Sequence, residues 1–172
     1  MVYDVDIVHV PEQTLVSLRE RGPVADIGTR MARLRALAGQ AGLTPAGPMM
    51  GRFYDESMAG SDVDYEVCLP VQASVDGSIP DVVGEARGEL VPSHHALATT
   101  HVGRRDEMDD AVAALREALE AVGYLACGPL TEVYVTTRET TPDPASHVTR
   151  AAPALRALRP RRIATLLRCG TW

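Results

Sequence analysis

Apolar side chains along this chain are spaced in two ways, at every second residue or at every third and fourth, and the two spacings alternate in an order that occurs twice. Val5 to Val10 and Thr14 to Arg19 are rich in β-branched residues and read as extended runs, with Pro11 marking a bend or bulge between them. After Gly22 and Pro23, the residues Ile27, Met31, Leu34, Leu37 and Ala38 recur at helical spacing until Gly42, which reads as a C-terminal stop. Gly47 and Pro48 then open a hairpin with arms at about Gly51 to Tyr54 and Val63 to Val71, joined by a polar tip at Asp55 to Asp62. The second pass starts near Glu85. Leu97 to Val102 form its strand, Met108, Val112, Leu115, Leu119 and Val122 its helical stripe closed by Gly123, and Thr131 to Thr136 pairs with about Ser146 to Ala152 across a tip containing Pro142 and Pro144.

The two passes share identities as well as pattern. Pro11 to Pro48 is echoed without a gap by Pro92 to Pro129, with Gly22, Leu34, Arg35, Gly42 and Gly47 matched at one constant offset by Gly103, Leu115, Arg116, Gly123 and Gly128. A unit used only twice argues for a closed pseudo-twofold domain, since a solenoid needs at least three copies. The expected fold is α+β: a tandem repeat of strand, helix, strand and strand, with two helices on one face of a mainly antiparallel sheet. One domain is expected over residues 1–152, made of repeats at about 2–71 and 85–152 joined by a linker at 72–84, and the seam between repeats is the natural place for a pocket. Residues 153–172 fall outside the repeat. Arg156, Arg159, Arg161, Arg162 and Arg168 make that extension basic, and its leucines fit a short amphipathic helix serving as a C-terminal appendage.

Composition narrows the chemistry. With 172 residues, 45% apolar and 23% charged, the chain is long enough to bury one substantial core. Its formal net charge of -6 gives no large positive field toward nucleic acid or an anionic membrane. No apolar run approaches the ~18 residues of a spanning helix, and the N-terminus lacks the basic n-region of a signal peptide, so a cytoplasmic location is expected. No lysine occurs, which excludes Schiff-base chemistry, pyridoxal phosphate attachment and a P-loop lysine. Cys68, Cys127 and Cys169 show neither paired nor zinc-type spacing; Cys127 echoes Ala46 and reads as a small buried thiol. His94, His95 and His101 lack ligand spacing, so no metal is expected, and no phosphate loop or nucleophile elbow calls for a cofactor.

Glu132 stands out because the repeat is asymmetric there. It lies two residues before Tyr134 in a strand, so both side chains share a face. Their counterparts in the first pass are Gly51 and Phe53, so one half offers an acid where the other offers no side chain.

The run Val10-Pro11-Glu12-Gln13, then Gly22-Pro23, Ala41-Gly42-Leu43 and Ala46-Gly47-Pro48, resembles the GyrI-like small-molecule-binding family, the fold of effector-binding domains in multidrug-sensing regulators. Val63-Asp64-Tyr65-Glu66-Val67 and Gly128 to Tyr134 continue the match, which covers roughly residues 5 to 152. The resemblance implies a ligand cleft between two helices, floored by the sheet, with an acidic residue at the position of Glu132 and aromatic residues around it. No helix-turn-helix fits before Val2, so a stand-alone binder is expected.

Within that frame the expected ligand-binding residues are Glu132, Tyr134, Phe53, Tyr65, Met49 and His101. The carboxylate would attract a cation and the ring faces would stack on it, contributing about 0.5 to 2 kcal/mol per favourable contact. Met49 and Met50 offer a polarizable wall, and His101 ends the strand before Gly103. The expected partners are lipophilic cationic or neutral small molecules, with no direct contact to nucleic acid or membrane, and the leading function is broad-specificity binding of amphipathic xenobiotics. The alternative is hydrolysis, because some GyrI-like members open strained cyclopropane rings of DNA-alkylating natural products; Glu132 would then act on water and Tyr134 would donate to developing charge. The sole tryptophan, Trp172, lies outside the repeats, a departure from an aromatic-rich cage. A protein partner is a third possibility, although Asp106, Glu107, Asp109 and Asp110 read more simply as the acidic first turn of the second helix.

Overall fold

In a computed structural model of the chain, the described residues are 2–55, 60–73, 82–122, 124–136 and 140–157. The strands are β1 (Val5–Val10), β2 (Gln13–Gly22), β3 (Met50–Phe53), β4 (Val63–Pro70), β5 (Val82–Val83), β6 (Ala86–Val91), β7 (His94–Val102), β8 (Tyr124–Tyr134) and β9 (Val148–Ala157). The helices are α1 (Ile27–Gln40) and α2 (Asp109–Val122), each preceded by a 3-10 turn, Val24–Asp26 and Arg105–Glu107. All strand pairs are antiparallel, in the order β1-β7-β9-β8-β3-β4-β2-β6-β5. This is the α+β fold that the pattern predicts. Among the described residues no helix is long and apolar enough to cross a membrane.

The repeat appears as β2-α1-β3-β4 and β7-α2-β8-β9, and the sheet adds a crossing that the pattern does not announce. β1 precedes β2 in sequence but pairs with β7 of the other repeat, while β6 precedes β7 and pairs with β2. β1 and β6 hold equivalent places in the two repeats, Val5 matching Ala86 and Val10 matching Val91. Each repeat therefore lends its first strand to its partner, and the bends at Pro11 and Pro92 are where the chain crosses over.

Leu18, Val67, Gly51, Glu132, Ala151 and Thr99 are successive register partners across β2, β4, β3, β8, β9 and β7. Directly opposed residues project to one side, so the whole row marks one face. Val67 packs with Leu34 and Ala38 of α1, and Ala151 with Leu115 of α2, which puts both helices on that face. Burial of these apolar stripes is the main stabilising term for the two helices. On the opposite face Leu15, Met50 and Cys68 form a smaller cluster with Val91 and Val133.

Two boundaries differ from the sequence expectation. β8 begins at Tyr124, so Gly128 and Pro129 lie inside a strand. The ladder with β9 shifts register between Ala126 and Leu130, and a proline without an N–H is tolerated where the ladder is interrupted. β9 continues to Ala157, so the first residues of the expected extension are sheet, with Leu155 buried; residues 158–172, including the expected amphipathic helix, lie outside the described residues. Cys127 is exposed, not a buried thiol; it sits in the irregular part of β8, where the ladder with β9 shifts register. Gly123 and Cys169, with parts of the linker and of both hairpin tips, also fall outside the described residues.

Candidate functional site

β3 and β8 meet at the middle of the sheet, and Gly51 is paired there with Glu132. These two residues are each other's repeat equivalents, so the pseudo-twofold axis passes between them. A Cβ at position 51 would lie 2.9 Å from the Tyr134 hydroxyl, 3.1 Å from Phe53 and 3.2 Å from Ile27. The space vacated on the axis by the missing side chain is thus filled by the Tyr134 hydroxyl. Glu132 itself is 0% exposed.

A buried carboxylate needs partners, and Glu132 has three donors. Arg105 Nε and Nη2 donate to its two oxygens at 2.8 Å and 3.1 Å, a bidentate pair, and the Tyr134 hydroxyl donates to Oε2 at 2.7 Å. Burial pushes the Tyr134 phenol well above its ordinary value and the adjacent Glu132 carboxylate pushes it further, so Tyr134 stays a neutral donor. The Arg105 guanidinium also lies over the Phe53 ring, 5.0 Å from its centroid. Phe53 stacks on Tyr65 with centroids 6.1 Å apart, and Arg30, paired with Glu20, lies 5.4 Å from the Tyr65 centroid. Two rings at the seam thus each carry an internal cation.

Of the residues expected at the site, Glu132, Tyr134 and Phe53 are brought together. Tyr65 and Met49 are buried in the same core as Phe53, and the Tyr65 hydroxyl donates to Pro23 O at 3.3 Å. His101 is on the helix face but is committed elsewhere: one ring nitrogen faces the Tyr3 hydroxyl at 2.8 Å and the other the Arg104 carbonyl at 3.0 Å. It ties β7 to the turn that carries Arg105. That turn follows Gly103, whose φ of 145° and a hypothetical Cβ only 3.0 Å from His101 Nε2 leave no room for a side chain.

Sequence reasoning missed Arg105. The signal was nonetheless present, because its counterpart in the first repeat is Val24, so the acid at 132 and the base at 105 are matched departures from the repeat.

A cleft of about 380 Å³ opens beside this cluster, lined by Phe53, Leu115, Leu119, Pro129, Leu130 and Pro153. A larger cavity, about 640 Å³, lies on the helix-free face against Val8, Val10, Met50, Val133 and Val135. It is lined by neither Glu132 nor the stacked rings, whereas the smaller cleft is lined by Phe53 of the cluster, though not by Glu132, Arg105 or Tyr134. On that same helix-free face, Glu66, Cys68 and Glu89 bring ligand atoms within 4.8 Å of one another. Arg52 is paired there with both Glu66 and Glu89, and burial pushes the Cys68 thiol well up, so the group is an ion-pair network rather than a ready metal centre.

No curated protein sequence matches the chain significantly. Among solved structures, the C-terminal domain of EcmrR superposes with a TM-score of 0.81 at 20% identity, over 92% of this chain and 100% of that one. In an EcmrR–DNA complex the match spans 58% of the EcmrR chain. A hydrolase from Listeria innocua gives a TM-score of 0.63 at 16% identity over 88% of this chain and 91% of that one. SAV2435, solved bound to tetraphenylphosphonium, gives 0.60 at 12% identity over 91% and 94%. These likenesses concern the fold, and the sequence profile that matches residues 3–150 identifies the chain as a member of the GyrI-like small molecule binding domain family.

Proposed function

We propose that this protein binds amphipathic small molecules, cationic ones above all, with the positive group drawn to Glu132 and the apolar rings packed at Phe53 and in the adjoining cleft. The observation that carries this reading is that a fully buried carboxylate on the pseudo-twofold axis already holds a cation, in bidentate geometry and over an aromatic ring. The elements of cation recognition, a desolvated anion and a π face, are therefore assembled at one place. The neighbouring cleft is apolar enough for rings of varied shape, which suits broad specificity and neutral ligands as well. SAV2435, a relative in fold, was solved with a lipophilic cation.

Hydrolysis is the weaker reading. With Arg105 in place, both oxygens of Glu132 accept hydrogen bonds from Arg105 or Tyr134, so the carboxylate is engaged as a paired anion rather than as a free general base.

Calorimetric titration with tetraphenylphosphonium and with its neutral analogue triphenylphosphine oxide tests the anchor. Glu132→Gln is expected to weaken the cation by about tenfold or more and the neutral analogue by less than about threefold. Equal affinity of wild type and variant for the cation would remove Glu132 from the site. Turnover of a strained cyclopropane, followed by mass spectrometry, would restore the hydrolytic reading.

A further inference from the structure

The carboxylate that would attract a ligand is not vacant, and this raises the question of what its present partner does. Arg105 satisfies both oxygens of Glu132, and its side chain is 30% exposed where that of Glu132 is 0%. The guanidinium therefore stands between the buried anion and solvent. It comes from the 3-10 turn Arg105–Glu107, whose backbone is held without it: His101 engages the Arg104 carbonyl, and Glu107 accepts from the Arg104 N–H at 3.3 Å. The turn can keep its shape while the Arg105 side chain leaves. Asp106 is already paired with Arg104 and Glu107 with the Arg104 N–H, so Asp109 and Asp110 in the first turn of α2 are the acidic groups that remain nearby in sequence for a displaced guanidinium.

We infer that Arg105 is a resident competitor at the Glu132 site, a specificity-determining residue that an incoming cation must displace. This rests on the binding function proposed above. Exchanging one cation for another nearly cancels the Coulomb term, so selectivity falls on what else the newcomer offers. A small hydrated cation offers less than Arg105, which already hydrogen-bonds both carboxylate oxygens, lies over the Phe53 ring and also engages Tyr134. A bulky aromatic cation gives up those hydrogen bonds but buries rings against Phe53, Leu115 and Leu119. The pairing thus filters for lipophilic cations. Its cost is a reduced apparent affinity, since the binding-competent form is only the fraction in which Arg105 has swung away.

The test titrates wild type, Arg105→Ala and Arg105→Gln with tetraphenylphosphonium and with tetramethylammonium, using circular dichroism to verify folding. If the open form is about 1–10% populated, Arg105→Ala is expected to bind tetraphenylphosphonium about 10- to 100-fold more tightly than wild type, and Arg105→Gln to fall between. Tetramethylammonium should bind measurably only to the variants, and low millimolar guanidinium should compete in Arg105→Ala but not in wild type. Should Arg105→Ala fail to fold, Arg105→Gln decides. Equal or weaker affinity in the folded variants, with Glu132→Gln still weakening the cation, overturns the competitor role and leaves the binding function standing. Cation affinity that is indifferent to Glu132→Gln overturns both.

Discussion

Position 51 carries no side chain, and the site is built in the space this leaves. The Tyr134 hydroxyl lies 2.9 Å from where a Cβ would stand, so Gly51→Ala must push it away from Glu132. The cost is expected to be about 1–3 kcal/mol of stability, the usual range for overpacking, measured as a lower urea midpoint at unchanged slope. Tyr54, on the opposite face, supplies a pH test. Its hydroxyl donates to Glu66 at 3.0 Å, and partial burial together with that carboxylate pushes its phenol up to about 12. A raised value means that the folded state holds the proton more tightly. Its contribution is complete below the ordinary tyrosine value of about 10 and is lost as pH rises from there toward about 12. The urea midpoint should decline through that window, and Tyr54→Phe should decline less; an identical decline would assign the loss to other groups. Glu132 was legible at this scale because an acid opposite a glycine breaks the repeat. Arg105 was passed over although it too departs from the repeat, because two arginines beside an acidic segment read as surface charge until the fold brings their turn over β8.

The elements themselves were largely written in the spacing of apolar residues. Leu34 and Leu115, equivalent positions in the two stripes, are 0% and 2% exposed and anchor α1 and α2 to the same face of the sheet. Leu34→Ala and Leu115→Ala are each expected to cost about 2–5 kcal/mol in denaturant unfolding, with similar losses at the two sites; a loss well below this at either one would mean that its helix is held by something else. The start of β8 was misread because Gly128 and Pro129 normally punctuate a chain, and the ladder tolerates them only at its register shift. Glu66 is paired with Arg52 from the neighbouring strand, a contact that depends on register rather than on local pattern.

For the molecule as a whole, the exchange of β1 and β6 between repeats makes each half incomplete. Cut off by itself, the first repeat loses β6 beside β2 and β8 beside β3, and its own β1 loses β7. Residues 2–73 and 82–157 expressed separately are therefore expected to lack a cooperative unfolding transition, and to regain one when mixed in equal amounts, as followed by circular dichroism and size exclusion. A second-repeat homodimer is further disfavoured because the pairing that places Glu132 against Gly51 would set two carboxylates face to face. A folded monomeric half would show that the exchange is dispensable. The repeat, the helical and extended segments and the odd acid at position 132 could all be had from the amino-acid order, because they follow from local spacing and from comparison of the chain with itself. Which strand pairs with which, the meeting of Gly51 and Glu132 on the axis, and the occupation of the carboxylate by Arg105 emerged with the folded chain. Those facts depend on antiparallel register between segments that belong to different repeats, and such pairing leaves no mark in the spacing of either segment.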